Sequence, residues 1–361
     1  MKKIAIKPVW TIQEAGGPPM PPRLLDLLVR VQAQGSLQAA CEQLGLSYRH
    51  GWELVRQGEA HFNTTLLHME RGKGSKLSAL GEKLVWADHR ITARLKPVLD
   101  SLASELAVEI GRLISAEPTV LRLQASHGFA VEALVESLSR DGMVVERKYG
   151  SSTEAAAALH DRACDVAGFH IPEGALQASA LAHYARWLDE PDLMVIDIAT
   201  RRQGLMVRPG NPKKIYDLGD LARPDVRFIN RQAGSGTRFL LEGLLARHGL
   251  ASERIASFEQ GEYTHAAVAA YVASGMADVG FGLETPARHF QLDFISLASE
   301  RYFLLCRQAT LALPVMQTVL TTLQSQAFHI AVDALPGYHA TDTGCVTPLR
   351  EAFASAAQQQ Q

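Results

Sequence analysis

At 361 residues the chain is longer than one hydrophobic core usually organises, so two domains are expected. Hydrophobic residues at 47% and charged residues at 20% are a globular mix, and no apolar run approaches the roughly 20 residues of a membrane helix. Residues 1–115 hold 15 Lys and Arg against 11 Asp and Glu, a net +4, and the remainder holds 21 against 27, a net −6, so a mildly basic part suited to nucleic acid precedes an acidic part that is not.

In chain order, Lys3 to Ile12 alternates like a strand, which also speaks against a signal peptide, and a Gly-Gly-Pro-Pro-Met-Pro-Pro loop follows at Gly16 to Pro22. Arg23 to Gln34 is amphipathic, with Leu24, Leu27, Leu28 and Val31 on one side. Between Gly35 and Val55, Leu37, Ala40 and Leu44 share a helical face, Gly45 supplies a left-handed stop, and Ser47 is placed to cap a second helix. Two helices joined through a glycine turn are a helix-turn-helix, whose second helix enters a DNA major groove. Tyr48, Arg49 and Arg56 would face outward, while Trp52 and Val55 have the spacing of the buried side. An ordinary helical hairpin in a core has the same pattern. Thr65 to Glu70 then reads as a strand, Arg71-Gly-Lys-Gly-Ser-Lys76 as a basic turn, and the chain returns through Ser78. A hairpin with a basic tip beside a reading helix is a wing: its glycines admit close backbone approach, and Arg71, Lys73 and Lys76 add charge for phosphates.

The runs Gly35-Ser-Leu-Gln-Ala-Ala, Leu46-Ser-Tyr-Arg-His-Gly-Trp52, Glu70-Arg-Gly-Lys-Gly-Ser and Leu77-Ser-Ala-Leu-Gly-Glu-Lys-Leu84 resemble the winged-helix domain of the molybdate-responsive regulator ModE and its LysR-like relatives. The resemblance covers residues 20 to 90. It implies double-stranded DNA as a partner, bound by a dimer, with Ser36, Ser47, Tyr48, Arg49, His50 and Arg56 at the duplex. Asn63 stands where the family pattern leads one to expect glycine, and asparagine also tolerates a left-handed backbone.

Leu80 to Ile114 reads as one long helix of roughly 50 Å, with Leu84, Ile91, Leu95, Val98, Leu102, Leu106, Ile110 and Leu113 along a stripe. Pro97 should kink or break it. The stripe needs a partner: the same helix of a second copy, giving a homodimer or a tetramer of paired dimers, or the chain's own second domain.

From Val120, strands alternate with helices: Leu121 to Ala125, Val144 to Lys148, Asp165 to Phe169, Val226 to Asn230, Ile255 to Phe258 and Asp278 to Phe281 are expected strands. Cys164-Asp-Val-Ala-Gly-Phe and Ala277-Asp-Val-Gly-Phe-Gly form a weak internal repeat, which suggests two similar α/β lobes. Arg231-Gln-Ala-Gly-Ser-Gly-Thr-Arg238, Tyr263-Thr-His265, Val272 to Gly280, Arg202 to Val207 and Gly210-Asn-Pro212 resemble the periplasmic-binding-protein-like domain often fused to ModE-type winged helices. That resemblance, over residues 118 to 345, implies a type II two-lobed fold and a small anion in its cleft, an oxyanion such as molybdate or tungstate. Gly128 stands where this family leads one to expect an acidic residue.

Independently of the resemblance, Ser126, Ser151, Ser152, Ser235 and Thr237 lie at expected helix starts, beside Gly236, where hydroxyls and N–H groups can meet an anion. Any one of them could be a plain helix cap. Arg231 and Arg238 can supply counter-charge, and His127, His170, Tyr263 and His265 fall at strand or helix ends. Cys41, Cys164, Cys306 and Cys345 are far apart without a CxxC pair, which suits a reducing cytoplasm and gives no metal site.

The expected organisation is α/β: a winged helix-turn-helix over residues 1–80, a linker and dimerisation helix over 81–116, and a two-lobed effector domain over 117–355. The expected function is a cytoplasmic one-component transcriptional regulator that senses a small anion and needs no cofactor. The alternatives are a regulator sensing a small organic carboxylate, a molybdate carrier, or an enzyme on the same fold. No Walker loop, HExxH or GxSxG elbow is present to favour the last.

Overall fold

Left-handed residues end each of the first three helices. Helix α1 (Leu24–Gln34) stops at Gly35 with φ 65°, and its cap N–H reaches the Val31 carbonyl. Helix α2 (Leu37–Gln43) starts under Ser36, whose hydroxyl accepts the Ala39 N–H, and the chain turns at Gly45 with φ 63°. Helix α3 (Tyr48–Phe62) starts under Ser47, which accepts the His50 N–H, and ends at Asn63 with φ 47°. Asparagine therefore does hold the left-handed turn.

The computed structural model describes residues 4–70, 74–114 and 120–354. The chain divides into two units, one of Lys7–Ala93 and one taking in the rest. In the first, Leu24, Leu27, Leu28, Val31, Leu37, Leu54, Val55 and Leu84 form a single core. Gly51 lets α3 approach α2: a Cβ there would collide with the Cys41 sulfur. Strands β1 (Leu67–Glu70) and β2 (Gly74–Leu77) form an antiparallel hairpin, and β2 is tied back by the Ser75 N–H, which donates to the Gly35 carbonyl. The expected tip residues Arg71 and Lys73 lie outside the described residues.

The expected strand over Lys3 to Ile12 is not found. Its described residues have no regular structure, and one isolated bridge pairs Gln13 with Pro19. Val9 is 94% exposed and Trp10 is half-buried against the core, so the two faces do differ, but among the described residues no strand pairs with the segment to make a ladder. Helix α4 (Ala79–Ile114) runs through Pro97 without a break, so of the two expected outcomes the break is not found. Its anchors to the second unit, given below, offset the one N–H that proline removes.

The second unit is a mixed sheet with helices on both faces. Its elements are β3 (Val120–Ala125), α5 (Phe129–Arg140), β4 (Val144–Tyr149), α6 (Ser152–His160), β5 (Val166–Pro172), α7 (Gln177–Leu188) and β6 (Leu193–Val207). There follow β7 (Phe228–Arg231), α8 (Gly236–Arg247), β8 (Gly261–Glu262), α9 (His265–Ala273), β9 (Val279–Leu283), α10 (Glu284–His289) and β10 (Asp293–Arg307). Helices α11 (Pro314–Gln324) and α12 (Gln326–Asp333), strands β11 (Tyr338–His339) and β12 (Val346–Pro348), and α13 (Leu349–Ala352) complete it. The strand order is β4-β3-β5-β10-β6-β9-β7-β8.

Two 15-residue strands, β6 and β10, join two lobes. The first lobe is β4, β3 and β5 on one end of that antiparallel pair; the second is β9, β7 and β8 on the other. The internal repeat corresponds to β5 and β9, each beside one crossing strand. Its aspartates act alike: Asp165 accepts the Arg122 backbone and guanidinium N–H groups, and Asp278 does the same for Arg227. Ile255 to Phe258 is not the expected strand. Ser257 at φ 65° breaks the extension, Ile255 and Phe258 plug the lobe core from a turn, and the strand β8 lies three residues on.

Candidate functional site

Helix starts from both lobes meet at one cavity of about 590 Å³. From the first lobe come Ser126 and His127 after β3, Ser151 and Ser152 at the head of α6, and His170 on β5. The second lobe brings Arg231 at the end of β7, Ser235, Gly236 and Thr237 at the head of α8, and Tyr263, Thr264 and His265 at the head of α9. Each helix N-terminus leaves backbone N–H groups without intrahelical partners and carries partial positive charge. The structure thus brings the expected ligand-binding residues together with one exception. Arg238 is not part of the lining: its guanidinium is committed to Glu242 at 2.9 Å and Glu259 at 2.8 Å, over the Phe258 ring, and is a structural ion pair.

The cap serines keep a proton to give. Ser151 accepts the Glu154 N–H in a reciprocal capping box, and Ser235 accepts the Arg238 N–H, so each hydroxyl hydrogen stays available. Thr237 is more constrained. Its Oγ1 accepts from Gln203 Nε2 at 3.2 Å and lies 3.4 Å from His265 Nε2. The Leu283 N–H donates to His265 Nδ1, so that ring carries its proton on Nε2 and also donates to Thr237. With both lone pairs engaged, the Thr237 hydroxyl must donate outward. Burial, reinforced by Arg231 and Arg201, drives the His265 pKa well below its ordinary value.

His170 Nδ1 lies 3.3 Å from both Ser126 Oγ and Ser152 Oγ. Burial lowers its pKa to about 4, with Arg201 and Arg231 adding to the fall and Glu300 opposing it, so the imidazole is neutral at pH 7. Its 3.9 Å approach to Glu300 is therefore not an ion pair. His127 lines the cavity with its Nε2 engaged by Glu132 at 2.9 Å, which Lys96 also pairs at 2.7 Å. Burial would raise the Glu132 pKa, but His127 and Lys96 pull it down to about 2.

The floor is charged. Arg201, which the sequence reading missed, is buried on β6 over the Tyr302 ring, with Nε donating to Glu300 Oε1 at 2.5 Å and Nη1 without a hydrogen-bond partner among the described residues. An arginine in a strand buried almost throughout is costly unless something needs it. Burial opposes its charge, but Glu300, Tyr338 and Tyr302 hold its pKa above the ordinary arginine value. Gly128 lies beside it, a Cβ there falling 3.1 Å from Nη1, so glycine in place of an acidic residue leaves that nitrogen unneutralised. Arg231 donates to the Glu262 and Tyr263 carbonyls at 3.2 and 2.9 Å and has no carboxylate partner among the described residues. Burial, then Arg201, lowers its pKa to about 10. Two guanidinium charges against one Glu300 carboxylate leave the floor one charge positive.

A family model for the PBP superfamily domain matches residues 135–324, more than half of the chain. The chain belongs to the PBP superfamily. It is 31% identical over 200 residues to "Uncharacterized protein YvgK" of Bacillus subtilis (strain 168), an alignment covering 55% of this chain and 64% of that protein. The chain thus spans a little under two thirds of that relative's length. It is 32% identical over 83 residues to "Uncharacterized protein in ferredoxin 2Fe-2S gene 5'region" of Clostridium pasteurianum, covering 23% of this chain and 74% of that protein. Similar solved structures include a Clostridium perfringens phosphate ABC transporter substrate-binding protein with bound phosphate, at TM-score 0.46 and 12% identity over 60% of this chain and 97% of that one. A Corynebacterium glutamicum OxyR variant with bound hydrogen peroxide matches at TM-score 0.45 and 15% identity, over 86% of this chain and 93% of that one. In this PBP-superfamily unit the cavity sits where Arg201 of the crossing strand β6 meets the helix starts of both lobes.

The first unit holds the expected duplex-facing residues. Tyr48, Arg49, His50 and Arg56 are exposed on α3, and Ser47 caps it in the open. Ser36 is half-buried as the α2 cap, and Lys76 is exposed on β2. Trp52 is half-buried, with Gly51, Leu54, Val55 and Gly58 forming the inward side of α3. No helix among the described residues is long and apolar enough to cross a membrane.

Proposed function

We propose that the chain is a one-component transcriptional regulator: α1 to α3 with the β1–β2 hairpin form a winged helix-turn-helix, α3 reads the major groove, and the cleft senses a small anion. The observation that carries the anion reading is the floor, where, among the described residues, Arg231 has no carboxylate partner and Arg201 Nη1 has no hydrogen-bond partner. A buried, unneutralised guanidinium is a standing cost that an anionic ligand removes. The DNA reading rests on α3, which buries one side and leaves Tyr48, Arg49 and Arg56 exposed on the other. Phosphates would be met by Lys76 on β2, and we assign Arg71 and Lys73, outside the described residues, the same role from the sequence. The α4 residues Leu102, Leu106, Ile110 and Leu113 stay exposed, and we assign this stripe to a homodimer contact. Of the anions, molybdate and tungstate suit the neutral hydroxyl and N–H donors, whereas the two arginines also suit a carboxylate or phosphate group.

The test is an electrophoretic mobility shift with the gene's own upstream DNA, with and without phosphate, molybdate, tungstate and short carboxylates. Retardation that an anion alters is the expected result. No retardation at any protein concentration ends the regulator reading, and anion binding without DNA affinity would make the protein a carrier.

A further inference from the structure

The cavity exceeds what its charged floor requires. A tetrahedral oxyanion takes up on the order of three water volumes, roughly 100 Å³, against about 590 Å³ here. The excess is not a gap between parted lobes, because Gly236 of the second lobe lies so close to His170 of the first that a Cβ would collide with Nε2. Burial orders the lining: Arg201, Ser152 and Thr237 are the deepest groups, whereas Tyr263 and Val98 are more than half exposed at the mouth.

The mouth is walled by α4, through Leu95, Pro97 and Val98, with Arg94 beside them. These residues recur at three- and four-residue steps, so they share one helical face. This stretch is fastened to the first lobe. Ser104 Oγ accepts the Arg147 N–H at 2.8 Å and donates to the Val145 carbonyl at 2.9 Å; Ser101 Oγ accepts the Tyr149 N–H at 3.0 Å. These bonds satisfy the outer edge of β4, which has no strand beyond it in the sheet. Lys96 adds its pair with Glu132. The helix also touches the second lobe, where the Arg94 guanidinium lies 4.7 Å over the Tyr263 ring. It spans the cleft mouth.

We propose that the occupant is an anion with an apolar body, its head on the Arg201 and Arg231 floor and its body packed against Pro97 and Val98, so that the connecting helix meets the ligand directly. The proposal rests on the anion-binding reading above and adds a ligand class and a fourth wall. The head is a carboxylate or a phosphate monoester, which share the chemistry the floor recognises.

Calorimetry on the full chain tests it, with formate, acetate, butyrate and hexanoate as one series, and with phosphate, butyl phosphate and molybdate. Each buried methylene should tighten binding about fourfold. Hexanoate should therefore bind on the order of a hundredfold tighter than acetate. Val98→Asn, at an exposed position outside the cores, should weaken hexanoate at least fivefold and acetate less than twofold. Hexanoate against butyl phosphate identifies the head. A flat series, or molybdate or phosphate binding as tightly as the longest organic anions, overturns the apolar body. A rising series unchanged in Val98→Asn overturns the α4 wall. Binding of none of these anions overturns the anion reading itself, and the proposal with it.

Discussion

The same substitution at the two floor arginines should have very unequal effects on stability. Holding the Arg231 guanidinium at about 10 instead of 12.5 corresponds to about 3 kcal/mol against its charged form in the folded state. The side chain is charged in folded and unfolded chains at pH 7, so the whole penalty is present there and is relieved only as pH rises through about 10. Against it stand two bonds to carbonyls, each contributing about 1–2 kcal/mol. Arg231→Met should therefore leave stability within about 1 kcal/mol of the parent. Arg201→Met instead strands Glu300, fully buried with Oε2 already unpartnered, and should cost about 3–5 kcal/mol. At about 2–4 °C per kcal/mol for a unit of this size, that is a fall of roughly 6–20 °C in Tm. Calorimetric melting of both variants, followed by anion titration, reads both quantities. Arg231→Met should lose affinity tenfold to a hundredfold while melting like the parent. If it melts as early as Arg201→Met, Arg231 is part of the scaffold and the claim that the cleft holds uncompensated charge is wrong.

Three further outcomes are expected. Ser47→Ala removes the hydroxyl that accepts the His50 N–H and should cost about 1 kcal/mol of stability, whereas Arg49→Ala should leave melting unchanged and weaken retardation of DNA, with a shallower salt dependence if it meets a phosphate. Glu132, held at about 2 against an ordinary 4.5, contributes up to about 3 kcal/mol above pH 4.5 that is lost as pH falls through 2; urea midpoints of Glu132→Gln should accordingly fall less between pH 5 and pH 2.5 than those of the parent. Leu106→Glu, on the exposed stripe of α4, should shift sedimentation toward a single copy; unchanged sedimentation would place any self-association elsewhere.

Much of this architecture was written locally. Ser47, Ser151 and Ser235 cap helices where their positions predicted, because an N-cap is a contact within three residues. Gly35, Gly45 and Asn63 turn left-handed for equally local reasons. What failed was pairing. The alternation of Lys3 to Ile12 found no strand edge, and Ile255 and Phe258 bury their side chains from a turn. The crossing strands β6 and β10 escaped notice because strands buried on both faces lack alternation. With β6 unseen, Arg201 was unseen. Arg238 sits in the glycine-serine run, which is what suggests it from the sequence, yet helical spacing aims it at Glu242, four residues on. The long apolar stripe likewise divides by depth: Leu84 is core, Leu95 and Val98 line the cavity, and Leu102 onward is exposed.

The Arg201–Glu300 pair is the feature that the fold alone does not justify. It is buried on the two crossing strands, where a well-packed apolar pair of the same volume is commonly as stable or more so. Its geometry is also incomplete, with Nη1 and Oε2 both lacking a hydrogen-bond partner among the described residues. A structural bridge would be expected to use these atoms. Nη1 instead belongs to a cavity-lining side chain, next to neutral His170 and the outward-donating Thr237. Glu300 then keeps Arg201 charged and in place at the junction of the lobes, while Arg231 supplies the positive charge that no carboxylate cancels. Removing Glu300 alone should therefore loosen the floor more than it strengthens anion binding, because a second unpaired guanidinium would be left in a site already short of counter-charge.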